Sequence, residues 1–370
     1  MNRDAVIHAL WVLMALWVMS LPGSCTQDKP PTVAPPKKVL LKIHCWEGYA
    51  REHEAHFIQY YKELTGADVK LAITSTTGHY SNIEAIEKND AHLVSPANDL
   101  ILPLYERGLI RPVLVGKLPH FNQINPIIVG TKCTTINGEL YGVPFNFGAY
   151  LLAYNRDRVP TPDSYSILWD PRYRKRVTIP DVYDTINIYM TALMLGFPKE
   201  DLFRLNNAQL AAVEEKLREL NTRQVSVFWK ENLEPDKRDQ YDIGMDWGIG
   251  VLKINEQFGG NWAVTIPKEG ATAWVDTWVI TKNVTDPDTE HAAYAFIDFM
   301  ISPESQARMA KITSYGPINP YSTRYLTAQE KRKYYLTDPK FFHEFILWQP
   351  LSEATLRRYH ETWERSRAPD

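Results

Sequence analysis

The chain of 370 residues is poor in the features that mark several common classes of protein. It has 3 cysteines, too few for a disulfide framework, and the sequence leaves open whether Cys45 and Cys133 pair or stay as two buried thiols. Its 41 Lys and Arg against 44 Asp and Glu give a formal net charge of −3, so a nucleic acid is not the expected partner. No Gly-x-Ser-x-Gly motif and no phosphate-binding glycine loop is present, which argues against two large groups of enzymes.

The long apolar run of this chain is confined to its N-terminus. Residues 5–21 are nearly all apolar and lead into small residues, which predicts a signal peptide over residues 1–24, although a membrane anchor stays open. Gly23-Ser24-Cys25 is similar to a bacterial lipobox, with Pro22 where Leu is usual, and this resemblance implies lipid attachment at Cys25. Residues 25–38 contain many Pro and Lys and predict an extended tether.

The remaining chain alternates between strand and helix patterns. Residues 39–43 and 69–73 predict strands on either side of a helix over 51–65, which Gly66 ends. Similar alternation continues towards residue 312, with a loop predicted at 142–147 and a strand that crosses between lobes at 150–154. The length exceeds one ordinary core, so the sequence predicts an α/β fold with mixed sheets and two lobes.

Aromatic and acidic residues recur together where predicted strands end, in a chain with 11 Trp and 20 Tyr. Aromatic faces attract an ammonium group, and carboxylates pair with it. A single residue of this kind more often belongs to the core or caps a helix. Only the repeated pairing of aromatic and acidic residues at strand ends therefore indicates a binding site. The clusters are Trp46-Glu47-Gly48-Tyr49, Asp181-Val182-Tyr183-Asp184, Asp246-Trp247 and Trp274-Val275-Asp276. Together they predict a site for a small organic cation.

These clusters, in this order, resemble the spermidine/putrescine-binding proteins of bacterial ABC importers, within the extracellular solute-binding proteins. The matching segments also include Ile266-Pro267-Lys268-Glu269-Gly270, Tyr315-Gly316-Pro317 and Trp348-Gln349. The resemblance implies a type II periplasmic-binding-protein fold with a hinged cleft between two lobes. It implies a monomer without cofactor or catalysis, which delivers a polyamine to an inner-membrane permease. Its place would be the periplasm or the extracytoplasmic membrane face.

The same resemblance implies lobe boundaries and roles for individual residues. We expect residues 39–151 and 275–324 in the first lobe, and 152–274 and 325–370 in the second. Trp46 and Tyr49 would form a wall, Asp181 and Asp184 would hold one amino end, Trp247 and Trp274 would cover the methylenes, Asp276 would pair with another amine, and Tyr315 and Gln349 would close the site.

Two departures from the family pattern leave the ligand's length and selectivity open. The segment Ser95–Asp99 lacks the usual Tyr, so Asp99 or Asn98 takes its place, or the pocket has another shape there. Glu47 stands where the family usually has a small hydroxyl residue. Another cation therefore stays an alternative to a polyamine.

The chain also contains residues that could serve functions other than polyamine capture. His53-Glu54-Ala55-His56 has the wrong spacing for a His-Glu-x-x-His zinc site and is interpreted as a solvated helix face. The adjacent tyrosines Tyr60-Tyr61 and Tyr334-Tyr335, which an iron-binding relative would use, fall in helical patterns, so no metal site is predicted. A carbohydrate hydrolase with paired carboxylates and a polyamine sensor that presents its liganded form to a membrane receptor remain as alternatives.

Overall fold

The computed structural model describes residues 38–181, 183–230, 233–333 and 345–368. The predicted signal peptide, Cys25, the tether up to Lys37 and the Tyr334-Tyr335 pair lie outside these residues. Among the described helices, none is both long and apolar enough to cross a membrane.

The described chain alternates between strands and helices. The strands are β1 Lys38–Cys45, β2 Asp68–Ser75, β3 Leu93–Val94, β4 Thr135–Ile136, β5 Glu139–Leu140, β6 Val143–Ala149, β7 Leu151–Asn155, β8 Val177–Pro180, β9 Val225–Trp229, β10 Ile243–Asp246, β11 Trp262–Thr265, β12 Ala271–Ile280, β13 Gly316–Pro317 and β14 Phe345–Leu347. The helices are α1 Glu54–Thr65, α2 His79–Glu87, α3 Ile101–Glu106, α4 Pro126–Gly130, α5 Asp184–Met194, α6 Asn207–Glu219, α7 Ile249–Phe258, α8 Pro287–Ile301, α9 Pro303–Thr313, α10 Ala328–Lys333 and α11 Glu353–Arg367.

The larger sheet has 7 strands in the order β13-β6-β12-β3-β1-β2, and β14 also pairs with β12. Strand β1 runs parallel to β2 and β3, whereas β12 runs antiparallel to β3 and β6. The predicted β1-α1-β2 unit is present, and Gly66 ends α1 in the left-handed conformation with φ 74°. A core that includes Leu41, Phe57 and Trp278 packs around this sheet.

The smaller sheet has 5 strands in the order β11-β7-β10-β8-β9. Strands β10, β8 and β9, which extend to one edge of this sheet, run parallel to one another, while β7 runs antiparallel to β10 and β11. A separate core surrounds it, with Tyr189, Trp229 and Tyr359 fully buried. Two sheets with two cores agree with the mixed α/β architecture expected from the sequence.

The chain passes twice directly from one sheet to the other. Tyr150 joins β6 of the larger sheet to β7 of the smaller one, and the turn Pro267–Gly270 joins β11 to β12. The amide of Gly270 donates to the carbonyl of Pro267, and its φ of 97° favours glycine at this place. Side chains at these passages can therefore reach the space between the sheets.

The prediction of a loop at residues 142–147 is wrong, because strand β6 spans Val143–Ala149. Every residue of β6 is buried between β12 and β13, so the strand shows no alternation of polar and apolar positions. Pro144 lies where the pairing with β12 shifts register between Asp276 and Thr277. Such irregular positions tolerate proline, which otherwise argues against a central strand.

The sheets divide the chain slightly differently from the expected lobe boundaries. Strand β12 belongs to the larger sheet from Ala271 onward, ahead of the expected boundary at residue 275. Strand β14 also pairs within the larger sheet, although residues 325–370 were expected in the second lobe. Helix α11 packs on α5 and α6, as an element of the second lobe would. We propose that the lobe boundaries follow the sheets.

Candidate functional site

Asp276 is a buried carboxylate on β12 that neutral groups hold in place. The phenol of Tyr49 and the indole Nε1 of Trp274 both donate to Asp276 Oδ2, the latter over 2.9 Å. Asn146 Nδ2 donates in turn to the Tyr49 oxygen over 3.0 Å. Asp276 is 2% exposed, and no described Lys, Arg or His side chain pairs with it. When it is ionised, this carboxylate has no cationic partner among the described residues.

Burial governs the protonation of this carboxyl group. Loss of water around Asp276 raises its pKa to about 7, although the hydrogen bonds from Tyr49 and Trp274 act in the opposite direction. The nearby charge of Asp99 also raises the pKa of Asp276. A bound cation would reverse this effect, because it favours the charged carboxylate.

Aromatic rings surround this carboxylate in what we call the ring cluster, which consists of Trp46, Tyr183, Trp247, Trp274, Tyr315 and Trp348. The Trp274 ring centroid lies 4.9 Å from that of Trp247, 5.5 Å from that of Tyr315 and 5.8 Å from that of Trp348. The Tyr183 ring lies 5.5 Å from that of Trp46 and 6.1 Å from that of Trp348. The rings thus form one connected aromatic cluster, which contacts Asp276 through the indole of Trp274.

The ring cluster receives residues from both sheets. Trp46 follows β1 and Trp274 lies on β12 of the larger sheet, whereas Tyr183 follows β8 and Trp247 follows β10 of the smaller one. The contact between Trp46 and Tyr183 therefore joins elements that belong to different sheets. A ligand held among these rings would touch both lobes.

A tight turn after β1 places Trp46 and Tyr49 on the site. The Tyr49 amide donates to the Trp46 carbonyl, and Gly48 has a φ of 87°, which few side-chain-bearing residues adopt. Ser95 Oγ accepts from the Trp46 amide over 3.3 Å. Glu47, at the outer corner of this turn, is exposed and contributes nothing to the ring cluster.

Asp181 and Asp184, which we call the acidic pair, both contact basic residues of helix α11. Arg367 forms an ion pair with Asp181, and His360 Nδ1 lies 2.6 Å from Asp184 Oδ2. Asp184 Oδ1 also accepts from the Thr185 amide at the start of α5. Tyr183, which directly precedes Asp184, has a left-handed φ of 55°, and its ring contacts that of Trp46 in the ring cluster.

The other predicted site residues divide into buried and exposed ones. Asp99 is 1% exposed and lies close enough to Asp276 to affect its charge. Its neighbour Asn98 donates to the Trp348 carbonyl and accepts from the Val275 amide, so Asn98 holds the site's backbone together. Gln349 is exposed and donates to the carbonyl of Leu347 rather than towards the rings.

Tyr183, Trp348 and Asn146 had no individual role assigned from the sequence, although Tyr183 and Trp348 lie within the segments that carry the resemblance. Trp348 is 1% exposed and fills the place near Tyr183 and Trp274 that was expected for Gln349. Burial at one position and exposure at the next is the ordinary consequence of an extended backbone, so the choice between the two neighbours depended on register. Asn146 lay within the supposed loop, and its strand pairs it directly with Asp276.

A cavity of about 210 Å³ adjoins one side of the ring cluster. Trp247 and Tyr315 form part of its wall, together with residues of β6, α7 and β11. Arg156 and Lys333 also line it, and Lys333 pairs with Glu256 over 2.8 Å. None of the described residues that line this cavity is acidic, so these residues do not favour an ammonium group.

The structure also bears on the cysteines, the histidine segment and the possible metal sites that the sequence raised. Cys45 and Cys133 are free and buried rather than paired.

His53, interpreted as part of a solvated face, is instead 0% exposed, and burial lowers its pKa to about 3. The face was misplaced because α1 begins at Glu54, after a short 3₁₀ turn that rotates His53 inward. Among the described residues, no three His, Cys, Asp or Glu side chains converge as metal ligands do.

Comparisons with known proteins agree with this architecture. The family model "Bacterial extracellular solute-binding protein" matches residues 57–339. The spermidine/putrescine-binding periplasmic protein of Salmonella typhimurium is 24% identical over 265 residues, covering 70% of this chain and 73% of the relative. The putrescine/agmatine-binding protein of Pseudomonas aeruginosa is 24% identical over 238 residues, covering 58% of this chain and 62% of the relative.

Solved structures show the same two-lobed fold. A spermidine/putrescine ABC transporter protein from Listeria monocytogenes superposes with a TM-score of 0.75 at 21% identity, covering 88% of this chain and 98% of that one. A lipoprotein of Treponema pallidum superposes with a TM-score of 0.70 at 16% identity, covering 90% and 99%. The α/β architecture and the family match together identify this chain as a member of the bacterial extracellular solute-binding proteins.

Proposed function

We propose that this protein captures a polyamine outside the cytoplasm and delivers it to an ABC importer. The observation that carries the proposal is Asp276, a buried carboxylate enclosed by aromatic rings and without a cationic partner among the described residues. One ammonium group of the ligand would take that position.

The physical chemistry of the site favours an alkylammonium ligand. An ammonium over an aromatic face gains about 0.5–2 kcal/mol, depending on how far water is excluded. A charge-assisted hydrogen bond to a carboxylate is stronger than one between neutral groups. Methylene groups would lie against the indoles of Trp247 and Trp274, where their burial from water is favourable.

Binding from both sides would couple the ligand to closure of the two lobes. The ring cluster is complete only when Trp46 and Tyr183 approach each other across the cleft. A ligand that contacts both would favour the closed form, since it gains contacts there that the open form lacks. We infer that the permease recognises this closed form.

The relatives support both the ligand class and the location. Those from Salmonella typhimurium and Pseudomonas aeruginosa are named for binding spermidine, putrescine or agmatine, and the former is named a periplasmic protein. We propose that this protein acts on the extracytoplasmic side. From the sequence alone, we further propose that it is a monomer that is exported by the segment 1–24 and anchored by lipid at Cys25. Loss of membrane association in Cys25→Ser, with export intact, would support the anchor, and light scattering would test the monomer.

Isothermal titration calorimetry tests the proposed function. Protein stripped of endogenous ligand by unfolding and refolding is titrated with putrescine, spermidine and agmatine, with arginine and a neutral sugar as controls. We expect saturable binding of at least one polyamine with a Kd on the order of 1 μM, which corresponds to about −8 kcal/mol. Failure of all three to bind, while the refolded protein unfolds cooperatively, would contradict the proposal.

A further inference from the structure

Both members of the acidic pair already contact a basic residue of the protein itself. Asp181 forms an ion pair with Arg367, and Asp184 forms a hydrogen-bonded pair with His360. The hydrogen bond to Asp184 raises the pKa of His360 above its ordinary value. Both basic residues belong to α11, the last helix of the described chain. Helix α11 therefore supplies the charges that a ligand's second amino end would otherwise supply.

Packing holds Arg367 in place beside Asp181. Its guanidinium lies over the ring of Phe228, 5.1 Å from the centroid, and over that of Trp363 at 5.5 Å. The side chain of Arg367 is 34% exposed and that of Asp181 is 23% exposed. Solvent therefore reaches this ion pair, and a cation that arrived from solvent would compete for the carboxylate.

The acidic pair adjoins the proposed binding site through Tyr183. This residue lies between Asp181 and Asp184 in the chain, and its ring contacts Trp46 and Trp348 of the ring cluster. Burial raises the pKa of the Tyr183 phenol, and the next contribution comes from Asp276. A ligand that holds one ammonium at Asp276 and extends past Tyr183 would reach the acidic pair.

On the other side, the cavity beside Trp247 and Tyr315 offers no alternative place for a second ammonium. Its described lining includes Arg156 and Lys333 but no acidic side chain. A doubly charged ligand anchored at Asp276 would therefore direct its second ammonium towards the acidic pair, where Arg367 stands.

We propose that Arg367 is a specificity-determining residue, an internal guanidinium that competes with the distal ammonium of the ligand for Asp181. This inference rests on the proposed polyamine-binding function and refines it. A distal ammonium gains one ion pair only by breaking another, so the exchange adds little to affinity. The protein then selects its ligand mainly through one ammonium at Asp276 and discriminates weakly between short and long polyamines.

The test compares the affinities of putrescine and spermidine among variants of the full chain. Arg367→Met keeps most of the apolar contact with Phe228 and Trp363 but removes the charge. We expect spermidine to bind R367M at least fivefold more tightly than wild type, with a smaller gain for putrescine. Arg367→Lys keeps the charge and should retain the wild-type ratio of affinities.

Two further variants isolate the interaction. Arg365→Met removes a cation of the same helix that pairs with Glu214 over 2.8 Å, and it should leave the ratio unchanged. Asp181→Asn in the R367M background should abolish the gain, because the carboxylate that the ligand would use is then absent. If R367M does not unfold cooperatively, Arg367→Gln takes its place.

The outcomes separate this inference from the proposed function. If wild-type protein binds polyamines but R367M keeps the wild-type ratio, the role of Arg367 is wrong and the proposed function stands. A gain in R367M that persists after Asp181→Asn would also contradict the inference. If neither wild type nor any variant binds a polyamine, the proposed function fails and the inference fails with it.

Discussion

Trp274 donates its indole hydrogen to Asp276 over 2.9 Å, from a position two residues earlier on the same strand. Residues two apart in a strand point to one face of the sheet, so β12 presents a ring and a carboxylate side by side. Tyr49 donates to the same oxygen, Oδ2, and neither donor uses Oδ1. The site thus orients one oxygen of Asp276 with neutral groups while the other can accept from a ligand.

Replacing Asp276 by Asn should abolish high-affinity binding of a polyamine. A buried ammonium that loses its charged partner typically costs about 2 kcal/mol or more, which corresponds to about a thirtyfold rise in Kd. Calorimetry with the polyamine that wild type binds best measures the change.

The matched control for D276N is Asp68→Asn. Asp68 pairs with Lys62 over 2.8 Å at the surface, where both side chains are about half exposed, and its loss should not affect ligand binding. Wild-type affinity in D276N would show that the ligand is held elsewhere.

Polyamine binding should weaken as the pH falls below 7. Burial raises the pKa of Asp276 to about 7, so at lower pH a proton occupies the carboxylate that the ammonium needs. Alkylammonium groups stay charged throughout this range, since their pKa is about 10. Titrations from pH 5 to pH 8 should approach a tenfold loss of affinity per pH unit at the acidic end.

The stability of the ligand-free protein should change in the opposite direction to ligand binding: it should decrease as the pH rises. Because the folded pKa of Asp276 lies above the ordinary value of 3.8, the folded state holds the proton more tightly than the unfolded state. The contribution of Asp276 is therefore fully present below pH 3.8 and is lost as the pH rises through about 7. Asp246, whose buried carboxyl has a pKa raised to about 6, adds to the same trend, so D276N should remove only part of it.

The sequence predicted the fold well because its signals were local. Gly66 ends α1 as expected, and the alternation of strands and helices around it gave the parallel pair β1–β2. It failed at β6, where burial on both faces erases the alternation on which a strand prediction depends. Local pattern also could not decide which of Trp348 and Gln349 faces inward, because that depends on pairing with a strand far away in sequence.

The sequence could not predict the partners of the acidic pair, for a similar reason. Asp181 precedes α5 and Asp184 is its first residue, whereas Arg367 and His360 lie on α11, more than 170 positions later in the chain. Nothing in the spacing of α11 marks these basic residues as different from its other charges. Only the packing of α11 on α5 and α6 brings them together.

Cys45 and Cys133 should resist alkylation in the native protein. Burial raises the pKa of the Cys45 thiol to about 12 and raises that of Cys133 as well, so little reactive thiolate forms at neutral pH. Peptide mass spectrometry after brief iodoacetamide treatment should find both unmodified without denaturant and both modified with it. A peptide linked between the two cysteines would contradict the free thiols of the structure.

Gly148 on β6 should prove necessary for the position of Trp274. A Cβ atom at residue 148 would lie 2.2 Å from Cζ2 of the Trp274 ring, much closer than any real contact. Gly148→Ala must therefore push the indole away from Asp276 and its neighbours in the ring cluster. Overpacking of this kind typically costs about 1–3 kcal/mol of unfolding free energy, and we expect polyamine affinity to fall with it.

Gly130→Ala is the control for G148A, because a Cβ at residue 130 meets nothing within 4 Å. Gly130 lies in helix α4, where alanine is favoured by up to about 1 kcal/mol, so this variant should be neutral or slightly more stable. Denaturant unfolding and calorimetry are measured on both variants. Loss of stability in G148A with wild-type affinity would mean that the ring of Trp274 serves the core and not the ligand. Loss of affinity beyond the change in stability would place that ring against the bound polyamine.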